Sequence, residues 1–90
     1  MSITVSLPTI LRPYVKDQRR VQAEGSNLGL LIDNLDAEYP GIKDRIVEEG
    51  AIRRYVNVYI NSEDVRFLNG VDSQLIDGDE IDILPAVAGG

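Results

Sequence analysis

The sequence predicts an α+β fold in which a sheet of about five strands carries one main helix on one face. Three observations lead there. Apolar residues alternate at Ile3, Val5 and Leu7, at Val21 and Ala23, and at Val56, Val58 and Ile60, the period-two mark of half-buried strands. A single stretch, Leu28 to Tyr39, instead repeats its apolar residues at spacings of three and four, the mark of a helix with one buried stripe. Proline and glycine punctuate these runs at Pro8, Gly25, Pro40-Gly41, Gly70 and Gly78.

Each element follows from local chemistry. The first strand runs from Ile3 to Leu7 and stops at Pro8. Residues 9–17 contain Arg12-Pro13 and Lys16-Asp17 and read as a connecting loop. Arg19 to Glu24 alternates again, which makes an N-terminal hairpin. Gly25-Ser26-Asn27 breaks the chain, and Ser26 is placed as the helix N-cap. The helix carries Leu28, Leu31, Ile32, Leu35 and Tyr39 and ends at Pro40-Gly41. Asp36 and Glu38 near its end oppose the helix dipole. Ile42 to Gly50 is charged and reads as a turn or short helix. Arg54 to Asn61 is the clearest strand, with Val56, Val58 and Ile60 on one face and Tyr55, Asn57 and Tyr59 on the other. Residues 61–64 read as a turn and Val65-Arg66-Phe67 as a short strand, with Phe67 assigned to the core. Leu75 drops into the core from a polar loop. Asp77-Gly78-Asp79 is a tight-turn signal in which Gly78 supplies a positive φ. Glu80 to Leu84 is the last strand, with Ile81 and Ile83 inward and Asp82 and Leu84 outward.

Composition removes several functional classes. The 90 residues make one domain with a modest core. A net charge of −6 argues against nucleic acid as a partner. Two basic pairs, Arg19-Arg20 and Arg53-Arg54, read as solvated surface or as features that orient the domain on an acidic partner. No apolar run reaches the roughly 18–20 residues that span a membrane. The start lacks the pattern of a signal peptide, and the expectation is a cytoplasmic protein. There is no cysteine and no histidine. Thiolate metal sites, disulfides and the usual nucleophile–base pairs therefore have no side chains to build them. Asp77 and Asp79 are the nearest approach to an acid/base pair and read as turn residues. The expectation is a non-enzyme with no bound cofactor and no metal.

The chain ends Leu84-Pro85-Ala86-Val87-Ala88-Gly89-Gly90. Residues 1–85 read as the folded domain and 86–90 as a flexible tail. Pro85 cannot donate to a ladder and is expected to end the pairing of the last strand. The five tail residues extend to about 17 Å at ~3.4 Å each. Ala86, Ala88 and Gly89 keep the tail thin, and Val87 is its one larger side chain, read as an anchor for a small pocket. Such a tail suits insertion into a narrow site of another protein, where the α-carboxylate of Gly90 is the reactive group. Outward Leu84, Tyr55 and Tyr59 read as an apolar docking patch beside it.

The order of elements, the Asp77-Gly78-Asp79 turn, the strand Glu80 to Leu84, Pro85 and the closing Gly89-Gly90 resemble the ubiquitin-like β-grasp sulfur carriers. These are relatives of the molybdopterin synthase small subunit and of the thiazole sulfur carrier. The Pro8-Thr9-Ile10-Leu11-Arg12-Pro13 stretch and the Leu84-to-Gly90 ending are most similar to the branch that serves bacterial cysteine biosynthesis. The resemblance implies a mixed sheet. It implies that Gly90 is adenylated with ATP by a ubiquitin-activating-enzyme-like adenylyltransferase/sulfurtransferase and then receives sulfur from a donor to become a thiocarboxylate. It also implies an acceptor enzyme, a pyridoxal-phosphate cysteine synthase first of all, and a metal-dependent peptidase that releases the product. In the family the position before the proline contacts the activating enzyme. Leu84 matches it, with leucine where the molybdopterin relative has phenylalanine. Alternatives stay open: sulfur supply to molybdopterin, thiazole or a thio-containing natural product, a ubiquitin-like protein modifier, or a plain interaction domain.

Overall fold

The computed structural model describes residues 2–85. Strands β1 (Ile3–Ser6) and β2 (Arg20–Ala23) pair antiparallel, with Val5 opposite Val21, as the alternation predicts. The segment between them is not the expected loop. It holds a 3-10 helix, Thr9–Val15, because Leu11 and Val15, four residues apart, both turn into the core. Lys16 and Asp17 then take positive φ (56° and 61°) to reverse the chain. Their N–H groups both donate to the Arg12 carbonyl, which offsets the strain of that backbone.

Helix α1 (Leu28–Glu38) buries Leu28, Leu31, Ile32 and Leu35, the predicted stripe. Its N-cap is Asn27 and not Ser26: the Asn27 side chain accepts from the Leu30 N–H at 2.8 Å. Ser26 is occupied otherwise, since its carbonyl accepts from the Leu75 N–H and holds the 73–75 loop against the helix start. Gly25 is required just before. A Cβ there would lie 2.4 Å from the Leu31 backbone nitrogen. Asp36, poorly placed for the helix dipole, has another task. One of its oxygens accepts from the N–H groups of Gly41 and Lys43, both at 3.0 Å, and so starts the next element.

That element is a short helix, α2 (Lys43–Ile46), followed by a two-stranded hairpin of β3 (Val47–Glu48) and β4 (Ala51–Ile52). Strand β5 is Val56–Ile60, shorter than the expected 54–61, and leaves Tyr55 before it. Asn61 and Ser62, both with positive φ, make a two-residue turn into β6, Glu63–Asp64. The strand expected at 65–67 is instead a 3-10 turn, because the Asp64 side chain accepts from the Arg66 N–H and caps it. The turn points Val65 into the core and leaves Phe67 86% exposed, contrary to its assignment as a core residue. A further 3-10 turn at Gly70–Asp72 leads to buried Leu75 and to β7, Glu80–Pro85.

The main sheet has the order β2-β1-β7-β5-β6. β1 and β7 run parallel and the other neighbours antiparallel, so the sheet is mixed. Ile3, Val5, Val58, Ile60, Ile81 and Ile83 face α1 in one buried cluster. Asn57, Tyr59, Asp82 and Leu84 lie on the opposite face, which keeps access to water.

Candidate functional site

The site is the end of β7. This strand enters the sheet through a tightly held turn. Gly78 has φ +90°, as predicted, and its N–H donates to the Ser2 carbonyl, while Asp77 accepts from the Ser2 N–H at 2.6 Å. Asp79, 7% exposed, accepts from the Asn61 Nδ2 and from the Ile76 N–H, each at 2.9 Å. Asp79 thus does the expected local turn chemistry through the Ile76 N–H. Asp77 departs from that expectation: it ties the turn to Ser2, the residue before β1. Among the described residues no group of three or more histidines, cysteines or carboxylates is placed to hold a metal ion.

Once inside the sheet, β7 is paired on both sides, with β1 through Thr4–Ser6 and with β5 through Val56–Ile60. The two partnerships end at different points. β1 stops opposite Asp82, whereas β5 continues to Asn57 opposite Leu84 and Val56 opposite Pro85. From Ile83 onward β7 therefore has one neighbour. The chain keeps one more bond on the β2 side, from the Leu7 N–H to the Arg19 carbonyl, and turns at Pro8 into the 3-10 helix; two clefts flank this end of β7.

The first cleft, about 300 Å³, lies between the 3-10 helix, α2 and the ends of β5 and β7; its apolar wall includes Ile10, Leu11, Tyr55, Val56 and Leu84. Ile10 is 72% exposed, Tyr55 65% and Leu84 48%. Tyr14, Arg45 and Arg53 supply its polar wall. Arg45 donates through Nε to the Tyr14 hydroxyl at 2.7 Å and lies over the Tyr14 ring. That hydrogen bond first, and its electrostatic attraction second, hold the guanidinium above its ordinary range. Arg53 donates to the Asp44 carbonyl and to Glu48. The second cleft, about 320 Å³, lies on the open face; Arg12, Arg19, Arg20, Asp82 and Leu84 line it. Pro8, Ile83 and Leu84 line both clefts.

Two of the three docking residues expected from sequence, Leu84 and Tyr55, share the first cleft. Tyr59 does not; it stands on the open face opposite Asp82 and is half-buried. The reactive position, Gly90, and the tail residues Ala86, Val87, Ala88 and Gly89 lie outside the described residues. β7 includes Pro85, one residue more than expected. Sequence reasoning missed Ile10, Arg12, Tyr14 and Arg45. The readable signal was the four-residue spacing of Leu11 and Val15, which sets a helical turn, leaves Ile10 outward and lays half-buried Tyr14 along the edge of the core.

This helix-on-mixed-sheet arrangement defines a ubiquitin-like β-grasp protein. The sequence matches the ThiS family over residues 5–90, and the chain belongs to that family. It is 50% identical over 93 residues, covering 100% of both chains, to the sulfur carrier protein CysO of Mycobacterium tuberculosis. It is 37% identical over 67 residues, 74% of this chain and 73% of the relative, to small archaeal modifier protein 3 of Haloferax volcanii. Among solved structures, a chain of the Amycolatopsis orientalis BexX/CysO complex superposes with a TM-score of 0.93 at 46% identity, covering 98% of this chain and 99% of that one. Full-length homology to sulfur carrier proteins puts the chain in that functional class.

Proposed function

We propose that this chain carries sulfur on the carboxylate of Gly90 for cysteine biosynthesis, in the cytoplasm. The carboxylate oxygen attacks the α-phosphorus of ATP and displaces pyrophosphate, giving an acyl adenylate on an activating enzyme. A reduced sulfur donor then attacks the carbonyl carbon and AMP departs, leaving a thiocarboxylate. Its sulfur is a soft nucleophile, as thiolates are. A pyridoxal-phosphate cysteine synthase is the acceptor in this reading, and a metal-dependent peptidase frees the product. ATP and the sulfur donor belong to the partner; residues 1–85 act as the body and 86–90 as the arm. No helix among the described residues is long and apolar enough to cross a membrane.

The observation that supports this most is the one-sided end of β7, which delivers Leu84 and Pro85 to the rim of an apolar cleft at the point where the diglycine tail begins. Incubation with ATP, sulfide and the host's activating enzyme, followed by intact-mass measurement, tests it. Exchange of one oxygen for sulfur is expected, and it disappears when Gly89 and Gly90 are deleted. An unchanged mass in the full chain rejects the reading.

The likeness to an archaeal modifier protein favours one second reading, attachment of Gly90 to lysines of other proteins. Isopeptide remnants on host proteins would mark it. Lys16 and Lys43 are the chain's own lysines, a poor supply for self-linked chains.

A further inference from the structure

The chain is acidic, yet its cations are unevenly placed. Five of its nine cationic residues, Arg12, Arg19, Arg20, Arg45 and Arg53, line the two clefts that flank Leu84, together with one carboxylate, Asp82. The remaining four cations share the rest of the chain with fourteen carboxylates. Ion pairs between described residues hold only one of the five cleft arginines, Arg53, and two of the other four cations, Lys43 and Arg66. Lys43 meets Asp33, Arg53 meets Glu48 and Arg66 meets Asp64. Among the described residues, Arg12, Arg19, Arg20 and Arg45 have no carboxylate within ion-pair distance. Arg45 is instead held by the hydroxyl and ring face of Tyr14, which orient the guanidinium.

A folded acidic protein has carboxylates in excess to pair its cations. Leaving four arginines unpaired around the tail's point of departure keeps their charge available to another molecule. A polyanion such as nucleic acid fits poorly, because the surrounding carboxylates repel it. A carboxylate-lined rim around an apolar pocket fits both features.

We propose that these arginines form a cationic collar that docks on a carboxylate-lined mouth of the enzyme that activates Gly90, with Leu84 as the apolar centre of the contact. The inference rests on the sulfur-carrier reading and adds the chemistry of the partner's surface. The collar guides approach and orients the tail, and takes no part in the chemical steps. Rim charges of this kind act mainly on association and are screened beyond about 8 Å at physiological salt.

The test compares R45E with K43E, equal charge reversals two residues apart on α2, of which only Arg45 lines a cleft. R19E/R20E probes the other cleft, and circular dichroism confirms that all three fold. Thiocarboxylate formation by the host's activating enzyme is followed against carrier concentration at low and high salt. R45E and R19E/R20E are expected to raise KM about tenfold at low salt with kcat unchanged. K43E stays close to wild type, and high salt closes the gap. If wild type is converted but R45E matches K43E, or if the gap persists at high salt, the collar is wrong while the sulfur-carrier reading stands. Binding of a labelled single-stranded oligonucleotide that the reversals abolish also overturns it. A wild-type carrier that the enzyme ignores overturns both.

Discussion

Replacing Asp79 with alanine removes the fastening that sets the position of β7. The buried carboxylate accepts one bond from the Asn61 Nδ2 and one from the Ile76 N–H, each at 2.9 Å. Asn61 answers with its own oxygen, which accepts from the Glu80 N–H at 3.0 Å, and its backbone N–H donates to the Glu80 carbonyl at 2.8 Å. Three bonds thus clasp the end of β5 to the start of β7, and the fourth, from Ile76, closes the turn just before it. A hydrogen bond to a charged group contributes about 1.5–3 kcal/mol net. Asn61 and Ile76 are largely exposed, so water can replace part of what their N–H groups lose, and each bond falls at the low end. Asp79→Ala should therefore cost about 3 kcal/mol, a large share of the ~5–15 kcal/mol that holds a small domain together. Asp79→Asn keeps the shape but turns a donor toward a donor, and should lose about half as much. Asn61→Ala should cost about 2 kcal/mol, because it also places alanine at φ 48°. The double variant should be less damaging than the sum by about 1 kcal/mol, since the two residues share a bond. Urea unfolding followed by far-ultraviolet circular dichroism measures all four. A loss below about 0.5 kcal/mol for Asp79→Ala, or strict additivity in the cycle, would show that the clasp is decoration.

Other substitutions separate body from site. Ile81→Ala opens a cavity between α1 and the sheet and should cost about 2–5 kcal/mol in the same urea assay. Gly25→Ala forces the chain off the Leu31 backbone and should lower the melting temperature sharply, whereas Phe67→Ser, at an exposed position, should leave it nearly unchanged. Leu84→Asp should alter stability little but impair sulfur loading by the activating enzyme, and normal loading would remove Leu84 from the docking surface. The hydrogen bond from Lys43 to Asp33, and then their attraction, raise the lysine pKa above 10.5. Its contribution is complete below the unfolded-state value and is lost as pH rises through the folded one. The gap in melting temperature between wild type and Lys43→Met, small at this exposed site, should therefore shrink between pH 8 and strongly alkaline solution.

What could be read in advance follows from periodicity. The helix stripe and the inward Val58, Ile60, Ile81 and Ile83 were legible because a buried face repeats and each residue confirms the next. The 3-10 helix at Thr9–Val15 was not, since Arg12-Pro13 within it and Lys16-Asp17 just after it match loop composition and only Leu11 and Val15 carry the turn. Phe67 misled for the opposite reason. Its size suggested burial, but the local bond that the Arg66 N–H donates to Asp64 turns the chain and lets smaller Val65 take the interior. At the site, Leu84 and Tyr55 were readable from strand parity. Arg19-Arg20 and Arg53 were read as partner-facing pairs and do line the clefts, but Arg12 and Arg45 were not singled out, because they are isolated in sequence and only the folding of the 3-10 helix and α2 beside β7 brings them to the site.

The parallel pairing of β1 with β7 is why the body can be small. A terminal strand placed at a sheet edge would hold its tail by a single ladder and would slip one residue at little cost, turning Leu84 inward. Here β7 is locked between β1 and β5 over Glu80–Asp82, where register is decided, and is released from β1 over the last three residues, where access is needed. Anchoring and presentation are separated along one strand. It follows that shifting the release point, and not the composition of the sheet, should control presentation. Extending β1 through Leu7 and Pro8 by replacing Pro8 with valine would restore a second neighbour to Leu84 and close the cleft. Such a chain should be as stable as wild type or more so, yet a poorer substrate for the activating enzyme. Equal or better loading by that variant would mean that the open end of β7 is not what the partner recognises.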